Sequence, residues 1–183
     1  MPTLRFPNFV IATIAAALIA VSLPAFAPPA AAAPKTTIGR LEKAWVEEAG
    51  VTLTAKIDTG TRTSSLGVAD VHLFRRGGAD RVRFTVTDAA GKTATLERPV
   101  FRFARFKENA RGAVERPVVL LHICIADIWR LTQVNLVDRA AFNYPLLIGR
   151  RFLFGTALVN IGRQFTAEPH CAEMSEPEGG GKR

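Results

Sequence analysis

Beyond residue 33, hydrophobic side chains recur at every second position, and no long stretch carries the 3.6-residue spacing of a helix. In LTAKI, Leu53, Ala55 and Ile57 fall on one side of an extended chain, and Thr54 and Lys56 on the other. RVRFTVTD keeps the pattern more strictly: Val82, Phe84 and Val86 alternate with Arg81, Arg83, Thr85 and Thr87. Such alternation suits a pleated strand with one face buried and the other in water. DAAGK, residues 88–92, reads as a hairpin turn into TATLERPVF. VVLLHICIADIW is apolar on both faces and predicts a central strand. Gly and Pro punctuate the region, and only GRRFLFG and DRAAF read as short helices. These patterns predict an all-β domain of short strands, a barrel or a sandwich.

The first 33 residues follow a different logic. Arg5 precedes an apolar run from Phe9 to Leu23, interrupted only by Thr13 and Ser22. Small residues follow, with Ala25-Phe26-Ala27 and Ala30-Ala31-Ala32 as cleavage sites. This layout predicts a signal peptide and an Ala/Pro-rich linker over residues 1–33, and the run is short for a membrane span. The expected location is therefore periplasmic or secreted, with no stable membrane span after cleavage. Residues 34–168 make one domain of ordinary size, and 169–183, ending EMSEPEGGGKR, lack apolar pattern and predict a disordered tail.

Removing Arg5, the one charge in the leader, leaves 23 basic and 16 acidic side chains, a balance of +7. That balance suits anionic partners, although scattered solvated positions give the same number. Nucleic acid is not expected, because the chain reads as exported and carries no aromatic-plus-basic binding motif. Cys124 lies in the apolar run and Cys171 beyond the last patterned segment. Two readings stay open: a bridge that fastens the C-terminal segment to the body, or a buried free Cys124 packed as a small hydrophobe.

Asp58-Thr59-Gly60 stands where the alternation of LTAKI ends, so its carboxylate sits where a strand passes into a loop. Asp-x-Gly alone is ordinary turn chemistry. A second stretch, YPLLIGRRFL at 144–153, joins a short apolar strand to a glycine, an arginine and a helical start about ninety residues later. Together, Asp-Thr-Gly and Leu-Ile-Gly-Arg resemble the retropepsin-like aspartic proteases. The wider pattern is KIDTGTRTSSL, VRF, ARFKENARGAVERPVV and NLVDRAAFNYPLLIGRRFL, from about Ile38 to Phe165. It is similar to a bacterial family often labelled ATP-dependent zinc protease and also described as retropepsin-like.

The resemblance implies a closed acid-protease barrel with one or two short helices. It also implies a catalytic loop of Asp58, Thr59 and Gly60, supported by Thr61, Ile148, Gly149 and Arg150. Aspartic proteolysis needs two carboxylates that share a proton and hold a water between them. This chain has a single Asp-Thr-Gly, so the partner carboxylate must come from a second copy, in a two-fold homodimer. By resemblance, Thr59 braces the two loops, Gly60 permits a tight turn, and the Thr61 hydroxyl reaches an outer carboxylate oxygen. Arg62 stands where viral relatives carry an acid that pairs with the Ile-Gly-Arg arginine, so Asp138 is the candidate partner for Arg150 instead. Gly67 replaces a histidine frequent in the bacterial family, and the turn at Asp88–Lys92 is the candidate flap.

Neither other half of that label finds residues here. There is no His-Glu-x-x-His, and His72, His122 and His170 lie far apart, so no metal is expected. His122, on an apolar strand, reads as a satisfied core residue. AAGKT at 89–93 ends like a phosphate loop, but Val86 replaces its first glycine, so no nucleotide or other cofactor is expected. Arg102, Arg105, Lys107, Arg111 and Arg116 cluster in what reads as a Phe-containing loop. With Arg62, the residues Arg105, Lys107 and Arg116 are candidates for binding a peptide or protein substrate, an acidic one by the family's association with glutamate ligases. The leading reading is an exported, homodimeric aspartic endopeptidase that activates water between paired Asp58 residues. The alternative is a non-catalytic module on the same fold that binds acidic peptides or cell-wall fragments.

Overall fold

The computed structural model describes residues 34–108, 112–137 and 143–171. The leader (1–33), the short helix expected at DRAAF and, of the tail expected at 169–183, residues 172–183 lie outside the described residues. Thr36–Gly39 forms β1 and Leu41–Val46 forms β2. A 3-10 turn at Glu47–Ala49 ends on Gly50 at φ 58°, which lets the chain return antiparallel as β3 (Val51–Ile57). In β3, Val51, Leu53, Ala55 and Ile57 are buried and Lys56 is exposed, so the period of two read in LTAKI is the period of burial.

Next come β4 (Ser64–Gly67), β5 (Ala69–Arg76), β6 (Ala79–Thr87) and β7 (Thr93–Pro99). Gly77 and Gly78, both at positive φ, turn β5 into β6. The Asp88 carboxylate accepts from the Ala90 and Lys92 backbone N–H groups and closes the turn from β6 into β7. The chain continues as β8 (Arg102–Glu108), β9 (Gly112–Ile125), β10 (Ile128–Val137), β11 (Leu146–Ile148), α1 (Arg150–Leu153) and β12 (Ala157–Asn160). VVLLHICIADIW is therefore not one strand. It crosses the β9–β10 hairpin, with Ala126 at φ 53° in the turn. An Ala-Asp turn carries none of the glycine chemistry by which such reversals are usually read. Of GRRFLFG, only one helical turn forms.

Six strands close on themselves in the order β10-β4-β11-β3-β2-β9, with β9 pairing back to β10. The fold is a closed all-β barrel of the retropepsin-like kind. Leu53, Ala55, Leu66, Leu121, Ile123, Val134, Leu146 and Ile148 are among the residues that fill its core. The three-stranded sheet β5-β6-β7 lies against this core through Val82, Phe84 and Val86. Each fully buried side chain there contributes about 2 kcal/mol. Lys92 Nζ donates to the Gly50 carbonyl at 2.7 Å, and Arg98 reaches Glu48 at 3.2 Å, so the sheet is also held at its polar margin. His122 is a satisfied residue, bonded to Glu48 through its ring and backbone nitrogens and stacked on Trp129 at 4.6 Å.

After β12, which pairs parallel with β1, the chain returns across β2 as an extended strap. Glu42 is fully buried, and its carboxylate accepts from the Gly39 N–H, the Thr166 N–H and the Thr166 hydroxyl. Those charge-assisted bonds compensate its burial and fix the strap. His170 N–H then donates to the Ala126 carbonyl, and Cys171 is disulfide-bonded to Cys124 with Cα atoms 6.0 Å apart. The free-thiol reading of Cys124 is thereby replaced. The bridge closes a loop of 47 positions, so Cys171→Ser should lower unfolding free energy by about 2–4 kcal/mol. Urea denaturation of parent and variant measures this, and coincident midpoints would contradict the bridge.

Candidate functional site

β3 and β11 run parallel, pairing Ile57 with Ile148, and the Asp58 N–H continues that ladder by donating to the Ile148 carbonyl at 2.9 Å. The two sequence motifs are thus joined at one end of the barrel. The Asp58 Oδ1 accepts from the Gly60 N–H at 2.9 Å and the Thr61 N–H at 3.3 Å. That local turn fixes the carboxylate, and Oδ2 has no protein partner among the described residues. The Thr61 hydroxyl turns away, bonding the Asp58 main-chain carbonyl at 3.4 Å instead of the expected carboxylate oxygen. Gly60 is not in the left-handed region. A Cβ there would stand 3.1 Å from Asp58 Oδ1, so close approach to the carboxylate is what favours glycine.

Arg150 holds the loop from outside. Its Nη1 donates to the Thr59 carbonyl at 2.9 Å and the Gly60 carbonyl at 2.8 Å, and its backbone N–H to the Thr61 carbonyl at 2.9 Å. The Arg151 N–H reaches the Arg62 carbonyl, and the Gly149 N–H reaches Ser64 Oγ. Arg150 therefore uses main-chain carbonyls as partners, which no side-chain pattern advertises. Asp138, the expected partner, lies outside the described residues. Thr59 is exposed at the loop tip, where a second loop could meet it. Gly149 has no room for a side chain: a Cβ would lie 2.8 Å from the Thr63 carbonyl carbon.

An open groove of about 680 Å³ begins beside this loop, at Thr61 and Arg62. Arg62, Arg102, Arg105, Arg116 and Arg151 line it, and among the described residues no carboxylate does. Gln133 Oε1 accepts from both Arg102 and Arg151, and Arg116 lies over the Phe106 ring at 4.5 Å. Arg105 is 3.6 Å from Glu115, an exposed pair of little energetic weight. Arg151 and Gln133 were not legible beforehand. Their neighbours in sequence gave no sign that a helix and β10 would converge on β8.

Arg102, Arg105 and Arg116 sit on a hairpin, β8–β9, and not in a loop as expected. Lys107 belongs to β8, but its side chain and the whole of Arg111 are outside the described residues. β8 ends the sheet order, so among the described residues one of its edges is unpaired. Residues 102–106, from both faces of the strand, all line the groove, so it runs along that edge. Phe103 faces Pro117, which has no N–H, so theirs is a non-hydrogen-bonded pair. The backbone groups of Phe103 and Arg105 consequently point to the open edge. The expected flap is placed differently. The Asp88–Lys92 turn is tied to Gly50, before β3, whereas Asp58 follows β3 about 25 Å further along the strand. The β8–β9 hairpin is the one that borders the Asp58 loop.

Among the described residues, no three His, Cys, Asp or Glu side chains gather as a metal site, and no helix is long and apolar enough to cross a membrane. A closed barrel whose Asp-Thr-Gly loop is locked to an Ile-Gly-Arg strand defines the retropepsin-like class. Within it, the chain belongs to the RimB-like family, described as retropepsin-like aspartic endopeptidase RimB, whose profile matches residues 37–170. A curated relative, a probable alpha-L-glutamate ligase of Desulfotalea psychrophila, is 24% identical over 131 residues. That alignment takes in 69% of this chain but only 28% of the ligase. A solved structure of a Legionella pneumophila protein of unknown function is 32% identical with a TM-score of 0.64, covering 73% of this chain and 98% of that one.

The interlock gives a direct expectation. Gly149→Ala should push the 62–63 backbone outward, costing about 2 kcal/mol or more and disordering the Asp58 loop. Amide exchange at Gly60 and Thr61 should quicken in the variant; unchanged protection would mean the contact is not limiting.

Proposed function

We propose that this protein is an exported, homodimeric aspartic endopeptidase that cleaves acidic peptides with water activated between two Asp58 carboxylates. The observation that carries the reading is the Asp58 loop: its carboxylate is oriented by two backbone N–H groups, its carbonyls are clamped by Arg150, and Oδ2 is left open by the described residues. In the dimer, one ionised carboxylate takes a proton from water as the water attacks the peptide carbonyl. The protonated partner donates a hydrogen bond to the carbonyl oxygen, and the carboxyl that took the water's proton passes it to the leaving amine as the C–N bond breaks. Family membership supports the peptidase class.

A second copy is required because each chain supplies a single such loop. The segment after Arg150 suits self-association, since Phe154, Leu158 and Ile161 are 83, 53 and 79% exposed. An acidic substrate fits the five arginines of the groove, and it agrees with the glutamate ligase named among the relatives. Export agrees with the leader pattern at residues 1–33 and with the Cys124–Cys171 bridge, which persists in oxidising compartments. The alternative, a non-catalytic module that binds acidic peptides or cell-wall fragments, uses the same groove and needs no carboxylate pair.

Asp58→Asn separates the two. Cleavage of a glutamate-rich peptide library should fall about 10³-fold or more while the fold and peptide binding persist. Cleavage at the parental rate would end the aspartic mechanism, and no cleavage by either protein would favour the binding module. Mixing in excess Asp58→Asn should also suppress the parent beyond simple dilution, because mixed dimers hold one working carboxylate. Arg62→Glu and Arg116→Glu should each raise KM for acidic peptides about tenfold, with kcat less affected and the difference shrinking in high salt. An unchanged KM would remove the arginines from substrate binding.

A further inference from the structure

Phe103 borders two depressions. On one side lies the arginine groove; on the other, a smaller hollow of about 190 Å³ is lined by Leu73, Phe74, Arg75, Asp80 and Phe103. Leu73 pairs with Val82 across β5–β6, so both side chains project from the core-facing side of the appended sheet. Val82 is fully buried, yet Leu73 is 48% exposed. The sheet therefore overhangs the barrel, and at Leu73 the inner face of its edge strand β5 is only half covered by the described residues. Leu73 on β5 and Phe103 on β8 are half-exposed apolar groups that line this hollow. Arg75 and Asp80, an ion pair at 3.2 Å, close its rim.

We propose that this overhang is an apolar subsite taking one aromatic or large aliphatic side chain of the peptide whose acidic residues lie against the arginines. The proposal rests on the acidic-peptide reading of the groove. A hollow of this size is adequate, since a cavity of about 150 Å³ holds a benzene ring. Continuity comes from Phe103, which belongs to both depressions, and from the open edge of β8. A peptide laid along that edge as an added strand puts successive side chains on opposite faces. One face of β8 carries Arg102, and Arg116 opposes Ala104 there; the other carries Phe103 and Arg105. The strand period thus sorts an acidic side chain to Arg102 and Arg116 and its neighbour to Phe103 and the overhang. Specificity is then for an acidic run with one apolar residue, and not for charge alone.

The test uses full-length Asp58→Asn protein, so that nothing is cleaved. Fluorescence anisotropy would compare a labelled hexaglutamate with six versions carrying one Phe at each position in turn. Phe at one position, or at two positions two apart, should tighten binding about tenfold over hexaglutamate, the scale of burying one such side chain. Leu73→Asn, a half-exposed position on an edge strand, should bring that ratio close to one, with folding checked by thermal melting. The inference is overturned if no Phe position improves on hexaglutamate, or if the improvement survives in folded Leu73→Asn. Should hexaglutamate and all six variants fail to bind, the acidic-peptide reading itself falls and takes the subsite with it.

Discussion

The interlock of residues 58–64 with 148–151 is the constraint on which the rest of the site depends. Two backbones distant in sequence are held by a continued β ladder, by the Arg150 fork on two carbonyls, and by Ser64 receiving the Gly149 N–H. The contact is close because residue 149 has no side chain. A carboxylate at the end of a strand is otherwise free to adopt several turns. Here its orientation follows from hydrogen bonds whose other ends belong to the barrel core, so the loop inherits the rigidity of β3 and β11.

Electrostatics of the groove follow from the same convergence. Five arginines share one concave surface, with no carboxylate among its described lining residues and the exposed Glu115 beside Arg105, an arrangement that raises the energy of the empty protein through like-charge repulsion. Neutral acceptors and an aromatic face keep three of them in place: Gln133 between Arg102 and Arg151, Thr63 for Arg102, and the Phe106 ring under Arg116. Such groups orient guanidinium ions without neutralising them. The charge stays available for an anion that approaches along the open edge of β8.

The acids that do meet basic groups in the body of the protein serve the architecture. Glu48 ties the appended sheet to the barrel through Arg98 and His122, while Glu42 fastens the C-terminal strap. These buried or half-buried carboxylates are compensated by several donors each, as burial of charge demands. His122 belongs to this scaffold, in line with its place on an apolar strand.

Alternation was enough to read β3 and β6, because burying one face of a pleated chain imposes a period of two that survives in sequence, but it left β8 to be read as a loop. The pairing of Asp58-Thr59-Gly60 with Leu-Ile-Gly-Arg was legible only through the family resemblance, and the crowded crossing that requires Gly149 is visible in the structure alone. Sequence could not reveal the reversal at Ala126, where no glycine signals the left-handed turn, nor the carbonyl partners of Arg150, which belong to backbone and have no residue code. It also could not choose which hairpin borders the site. The Asp88–Lys92 turn carries the stronger turn chemistry, yet closure of the barrel sets β8–β9 beside Asp58 and carries that turn to the far end of β3. Local periodicity determined what the elements are; only the order of strands around the barrel decided which side chains meet, because that order is fixed by contacts between residues remote in sequence.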